Sequence, residues 1–119
     1  MITINLTQEH RGRDSTTFTG RPQGKSVRET LNINKSDADK EKYTFTIPAG
    51  TTSFNPSFYL GLFFDSIKVL KGLDNFKKKY VLQILDDNKK IIENLEINIA
   101  ECERQARNEY EGKTGIDIN

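Results

Sequence analysis

Residues 54–72 read FNPSFYLGLFFDSIKVLKG, and the fold of the chain turns on this stretch. Phe58, Leu62, the Phe63–Phe64 pair, Ile67 and Leu70 recur at helical spacing. Asn55 is a residue type that caps helices, and Pro56 suits a first helical position because its missing N–H would be unpaired there. Gly72 marks the stop. The stretch predicts a helix over 54–71 that is buried, because it is the most apolar segment of the chain.

On either side lie strand patterns. YTFTIPAG (43–50) reads as a strand closed by Pro48 and Gly50. KKYVLQILDD (78–87) reads as another, whose apolar residues Tyr80, Val81, Leu82, Ile84 and Leu85 predict cover on both faces, as at the centre of a sheet. ITINL (2–6) alternates and predicts a first strand, and STTFT (15–19) a second short one. From Pro22 the pattern turns helical, with Val27 and Leu31 four apart. NKSDADKEK (34–42) reads as a solvated loop. From about residue 88 to 110, Ile92, Leu95, Ile99, Cys102 and Ala106 form a helical stripe at spacings of 3, 4, 3 and 4. Strands alternating with helices predict an α/β sandwich with one mixed sheet and helices mainly on one face. The domain is expected over residues 1–111, with a flexible tail over 112–119.

Length and composition narrow the function. The 119 residues suffice for one domain. Eighteen basic residues against 17 acidic argue against a protein that coats nucleic acid. Cys102 is the only cysteine, which excludes an internal disulfide and a cysteine-built zinc site. No apolar run is long enough to cross a membrane, so a cytoplasmic protein is expected.

GRPQGKS (20–26) looks like a phosphate-binding loop. Gly20 and Gly24, however, are separated by three residues where the nucleotide-binding pattern has four, and no buried apolar strand precedes them. The plainer reading is a glycine turn feeding a helix. Arg11, Arg13, Arg21, Lys25 and Arg28 cluster around that helix start, and with Gly24 they form a candidate site for an anion or a phosphorylated ligand. Ser57 is the other candidate. It falls in the first turn of the apolar helix, where free N–H groups and the positive dipole end would stabilise a phosphate. His10 stands alone, and Asp86 and Asp87, being adjacent, do not make a paired-carboxylate site. No nucleophile, base and oxyanion set can be assembled, which predicts a protein that is not an enzyme and needs no metal or cofactor.

Two blocks, RGRDSTTFTGRPQGKSVRETL (11–31) and NPSFYLGLF (55–63), resemble those of the STAS-like domain family of unknown function, a relative of the STAS domain of anti-sigma-factor antagonists. In those antagonists a strand leads into an Asp-Ser-Ser-Gly turn at a helix start, and a partner kinase phosphorylates the second serine. On this chain Asn55 stands at the Asp, Pro56 at the first serine, Ser57 at the phosphorylated serine and Phe58 at the Gly. The resemblance implies a regulatory module docking on a protein partner, a kinase-like ATPase or another signalling protein. Asn55, Ser57 and Phe58 would form its contact surface, with Ser57 the phosphoacceptor. The alternative is the anion- or nucleotide-binding module of the Arg11–Arg28 region. By association alone, such a protein would also suit an accessory role in a phage–host conflict system.

Overall fold

A computed structural model describes residues 1–12 and 14–115, with side chains up to residue 112. The elements run β1 (Ile2–Asn5), α1 (Gln8–Arg11), β2 (Thr17–Phe18), α2 (Arg21–Thr30), α3 (Ile33–Ala38) and β3 (Tyr43–Ile47). They continue with β4 (Ser53–Phe54), α4 (Pro56–Val69), α5 (Leu73–Lys79), β5 (Tyr80–Ile84) and α6 (Lys89–Gly115). The α/β class expected from the sequence is the class observed.

α4 is the helix that the apolar stretch requires. Phe58, Tyr59, Leu60, Leu62, Phe63, Phe64, Ser66 and Ile67 are all buried, and a helix that is apolar nearly all round belongs inside a domain. It packs against α2, α6, α3 and α5. Phe63 meets Phe45 of β3 edge-on at a centroid distance of 5.1 Å. Phe76 of α5 and Tyr80 of β5 close the same aromatic cluster, 5.0 and 6.1 Å from Phe63. The helix ends in a Schellman turn. Gly72 N–H reaches back to Ile67 O at 2.9 Å, and Lys71 takes the left-handed conformation at φ 65°.

The sheet differs from the mixed single sheet read from the sequence. β1, β3 and β5 form one sheet in the order β1-β3-β5, and β2 and β4 form a second, two-stranded one. Every pairing is parallel, because each connection between paired strands carries at least one helix and returns the chain to the same end. Helices lie on the face carrying Tyr43, Phe45, Ile47, Tyr80 and Leu82. The opposite face carries Thr3, Thr44, Val81 and Gln83, of which Thr3, Val81 and Gln83 are exposed. The centre of the sheet, expected at 78–87, is instead β3. β5 is an edge strand, with Val81 46 % and Leu85 48 % exposed.

Three short helices were not anticipated: α1, α3 and α5. α3 lies in the segment expected to be a loop, and it delivers Asp37 to the interior. Lys77–Lys79, expected as a solvated run leading into the strand, are the last turn of α5. On α6 the stripe is as expected, with Leu95, Cys102 and Ala106 fully buried. This helix continues to Gly115, beyond the boundary at 111, and the rest of the expected tail lies outside the described residues.

Candidate functional site

Two short segments repeat one design. TTFTG (16–20) and TSFNP (52–56) each run from a two-residue strand straight into a helix start. The strands pair in parallel, Thr17 with Ser53 and Phe18 with Phe54, so α2 and α4 start side by side. Contacts then advance together along both helices. The Gly20 N–H donates to Ser57 Oγ at 3.2 Å, and farther on Arg28 donates to Leu62 O at 2.9 Å and Ser66 Oγ at 2.7 Å. The two helices thus run parallel, with their free N–H groups and positive dipole ends together. Neither first turn holds an acid.

Gly24 and Gly61 make this closeness possible. A Cβ on Gly24 would fall 2.3 Å from Phe58 O, and one on Gly61 would fall 2.2 Å from Arg21 O. The backbones touch, and both glycines are there for the crossing. Gly24 is accordingly buried inside α2 and does not cradle an anion. The phosphate-loop look-alike is a helix from Arg21 onward.

Ser57 is exposed, as the docking reading needs. Asn55 is half-buried and stands at the N-cap, yet its side chain makes no capping bond. Its amide instead donates to Thr19 Oγ1 at 2.9 Å, and its carbonyl oxygen accepts from Ser53 Oγ at 3.1 Å, tying the two helix starts together. Phe58 does not belong to a contact surface. It is fully buried between Phe18 and Phe54, at centroid distances of 5.0 and 5.4 Å, because the second residue after Pro56 on this helix faces the core. It leaves Ser57 uncovered. Thr19, which is exposed beside Ser57, was missed. The repeat of strand, turn and helix start was the signal that could have found it.

Among the described residues the arginine cluster is not assembled. Arg11 is buried and spends its guanidinium on Ser15 O and Thr51 Oγ1, both at 2.7 Å. Arg28 is 5 % exposed and uses all five N–H groups on Asn34, Leu62, Ser66 and Asp37, with Asp37 at 2.5 Å. Arg21 forms a bidentate pair with Glu109 at 2.7 and 3.3 Å and lies over the Phe64 ring. Arg13 lies outside the described residues. Lys25 is exposed, but the hollow of about 190 Å³ beside it also holds Glu29 and Asp65, so its charges balance. Arg11, Arg21 and Arg28 thus spend their charges on holding the fold together.

The remaining chemical groups are structural. His10 Nδ1 accepts from the Thr7 N–H at 3.1 Å and completes a capping box on α1. Asp86 accepts from the Asn88 and Gly50 N–H groups at 2.9 and 3.1 Å, which holds its carboxyl below the usual range. Burial pushes the Cys102 thiol up to about 12, and its Sγ donates to Phe54 O, so it is a small core residue and no nucleophile. Among the described residues no helix is long and apolar enough to cross a membrane. No family model, curated protein or solved structure matches the chain, and the STAS-like resemblance therefore rests on its two sequence blocks.

Proposed function

We propose that this chain is a non-catalytic regulatory module of STAS-like type, working in the cytoplasm. It docks on a protein partner, a kinase-like ATPase or other signalling protein, through the paired starts of α2 and α4. One observation carries the reading. Ser57 is exposed at the N-terminus of α4, and its hydroxyl already sits on the first N–H of the neighbouring helix segment, 3.2 Å from Gly20 N. A phosphate on Ser57 would lie across two positive dipole ends, with no acid in either first turn to repel it. The fold would tolerate the modification, and the docking surface would gain negative charge. The competing anion-site reading has lost Arg11 and Arg28 to the interior.

The test uses two variants. Ser57→Asp is expected to melt within a few degrees of the parent protein, since charge at a helix start is worth only about 0.3–1 kcal/mol and is favourable. Its partner affinity is expected to fall at least about tenfold, a change of roughly 1.4 kcal/mol. Ser57→Ala should bind like the parent protein and escape control by the kinase. Calorimetry that gives Ser57→Asp the parent affinity would reject the surface, and a melt lowered by tens of degrees would make Ser57 a packing residue.

A further inference from the structure

β5 belongs to the three-stranded sheet, whereas the Ser57 helix start follows the separate β2–β4 pair. This strand ends the sheet, so one side of its backbone has no strand partner among the described residues. Natural edge strands are guarded by charges, prolines or bulges, which stop them from pairing with another chain. YVLQI (80–84) has none of these. Beside it runs an open groove of about 570 Å³, between Leu82 and Ile84 of β5 and Ile92 and Ile99 of α6. All four of those side chains are only half-buried.

The flanks of the strand say what fits. Lysines 77–79 precede it and Asp86–Asp87 follow it. Lys77 and Lys79 hold Glu103 and Asp39 at 3.0 and 2.9 Å, while Lys78 and Asp87 are exposed. The segment KKKYVLQILDD is thus charge-complementary to its own antiparallel copy. A two-fold axis at Leu82 sets Tyr80 opposite Ile84, Val81 opposite Gln83, and the lysine end of each copy against the aspartate end of the other. The apolar core-face residues then meet apolar residues, since a pairing centred on one residue keeps both faces in register. A parallel copy would instead oppose lysine to lysine and aspartate to aspartate.

We infer that the chain self-associates through β5. Two copies join edge to edge in antiparallel fashion into a continuous six-stranded sheet, and the two grooves close on each other.

Analytical ultracentrifugation of the full chain over a wide concentration range tests it. The parent protein is expected to sediment as a reversible dimer. Val81→Lys places the usual edge guard on an exposed position and should raise the dimer dissociation constant at least about tenfold, with an unchanged thermal melt. Lys78→Glu and Asp87→Lys should each weaken the dimer, because each puts like charges where the lysine end of one copy lies near the aspartate end of the other. Dimerisation should also weaken with added salt. A monomer at every concentration would overturn the inference, as would a dimer indifferent to all three substitutions.

Discussion

Gly24→Ala and Gly61→Ala are each expected to lower stability by about 3 kcal/mol, at or above the upper end of ordinary overpacking costs. The added methyl at Gly24 would stand 2.3 Å from Phe58 O and 2.8 Å from Leu62 N, and at Gly61 2.2 Å from Arg21 O and 3.0 Å from Lys25 N. These neighbours are main chain, so no rotamer change can make room. The helices must separate, and the aromatic packing around Phe58 and Phe63 loosens with them. An exposed helical glycine replaced by alanine would instead gain about 1 kcal/mol from helix propensity. The sign of the effect therefore decides the matter. Urea unfolding of both variants measures it, and a midpoint equal to or above that of the parent protein would show that the crossing is looser than described. The double variant should not be additive, because one separation of the helices relieves both clashes.

Arg28→Ala is expected to cost about 3–5 kcal/mol, the range for removing one partner of a buried ion pair. Asp37 would keep only the Tyr80 hydroxyl, at 2.7 Å, with its carboxyl nearly out of contact with water. The carbonyl of Leu62 and the hydroxyl of Ser66 would lose donors as well. Arg28→Lys should recover only part of the loss, since an ammonium has three donors where the guanidinium fork supplies five. In a double-mutant cycle with Asp37→Ala, the coupling should reach about 2 kcal/mol. Chemical denaturation of the four proteins measures it. A coupling near zero would mean that the pair is solvent-screened and that Arg28 is available for a ligand after all.

The parts of this fold that were legible in the sequence are those where burial writes a period. Phe58 to Leu70 spells α4, Ile92 to Ala106 spells α6, and YTFTI and YVLQI spell strands. The short helices left no such trace. α3 exists because Ile33 and Asp37 are drawn inward by the core and by Arg28, and its charged sequence resembles a solvated loop until that partner is known. The same limit governs the candidate site. Arg11 and Arg28 look like surface charges, and their partners Thr51, Leu62 and Ser66 are more than thirty residues away. Sequence spacing cannot pair residues across that distance. Ser57 was legible because a helix start is a local event, set by Pro56 and the apolar run behind it. The burial of Phe58 against β2 and β4 was not, since it depends on how two strand-to-helix turns pack together.

If the joined starts of α2 and α4 are the docking surface, a photo-crosslinking residue in place of Ser57 in the native cell will capture the partner, and mass spectrometry identifies the adducts. Ala38, exposed at the end of α3, serves as the control position. One dominant protein adduct is expected from position 57, absent from the Ala38 control and lost when Thr19 is also changed to a bulky charged residue. No adduct from Ser57, or the same adducts from both positions, would contradict it.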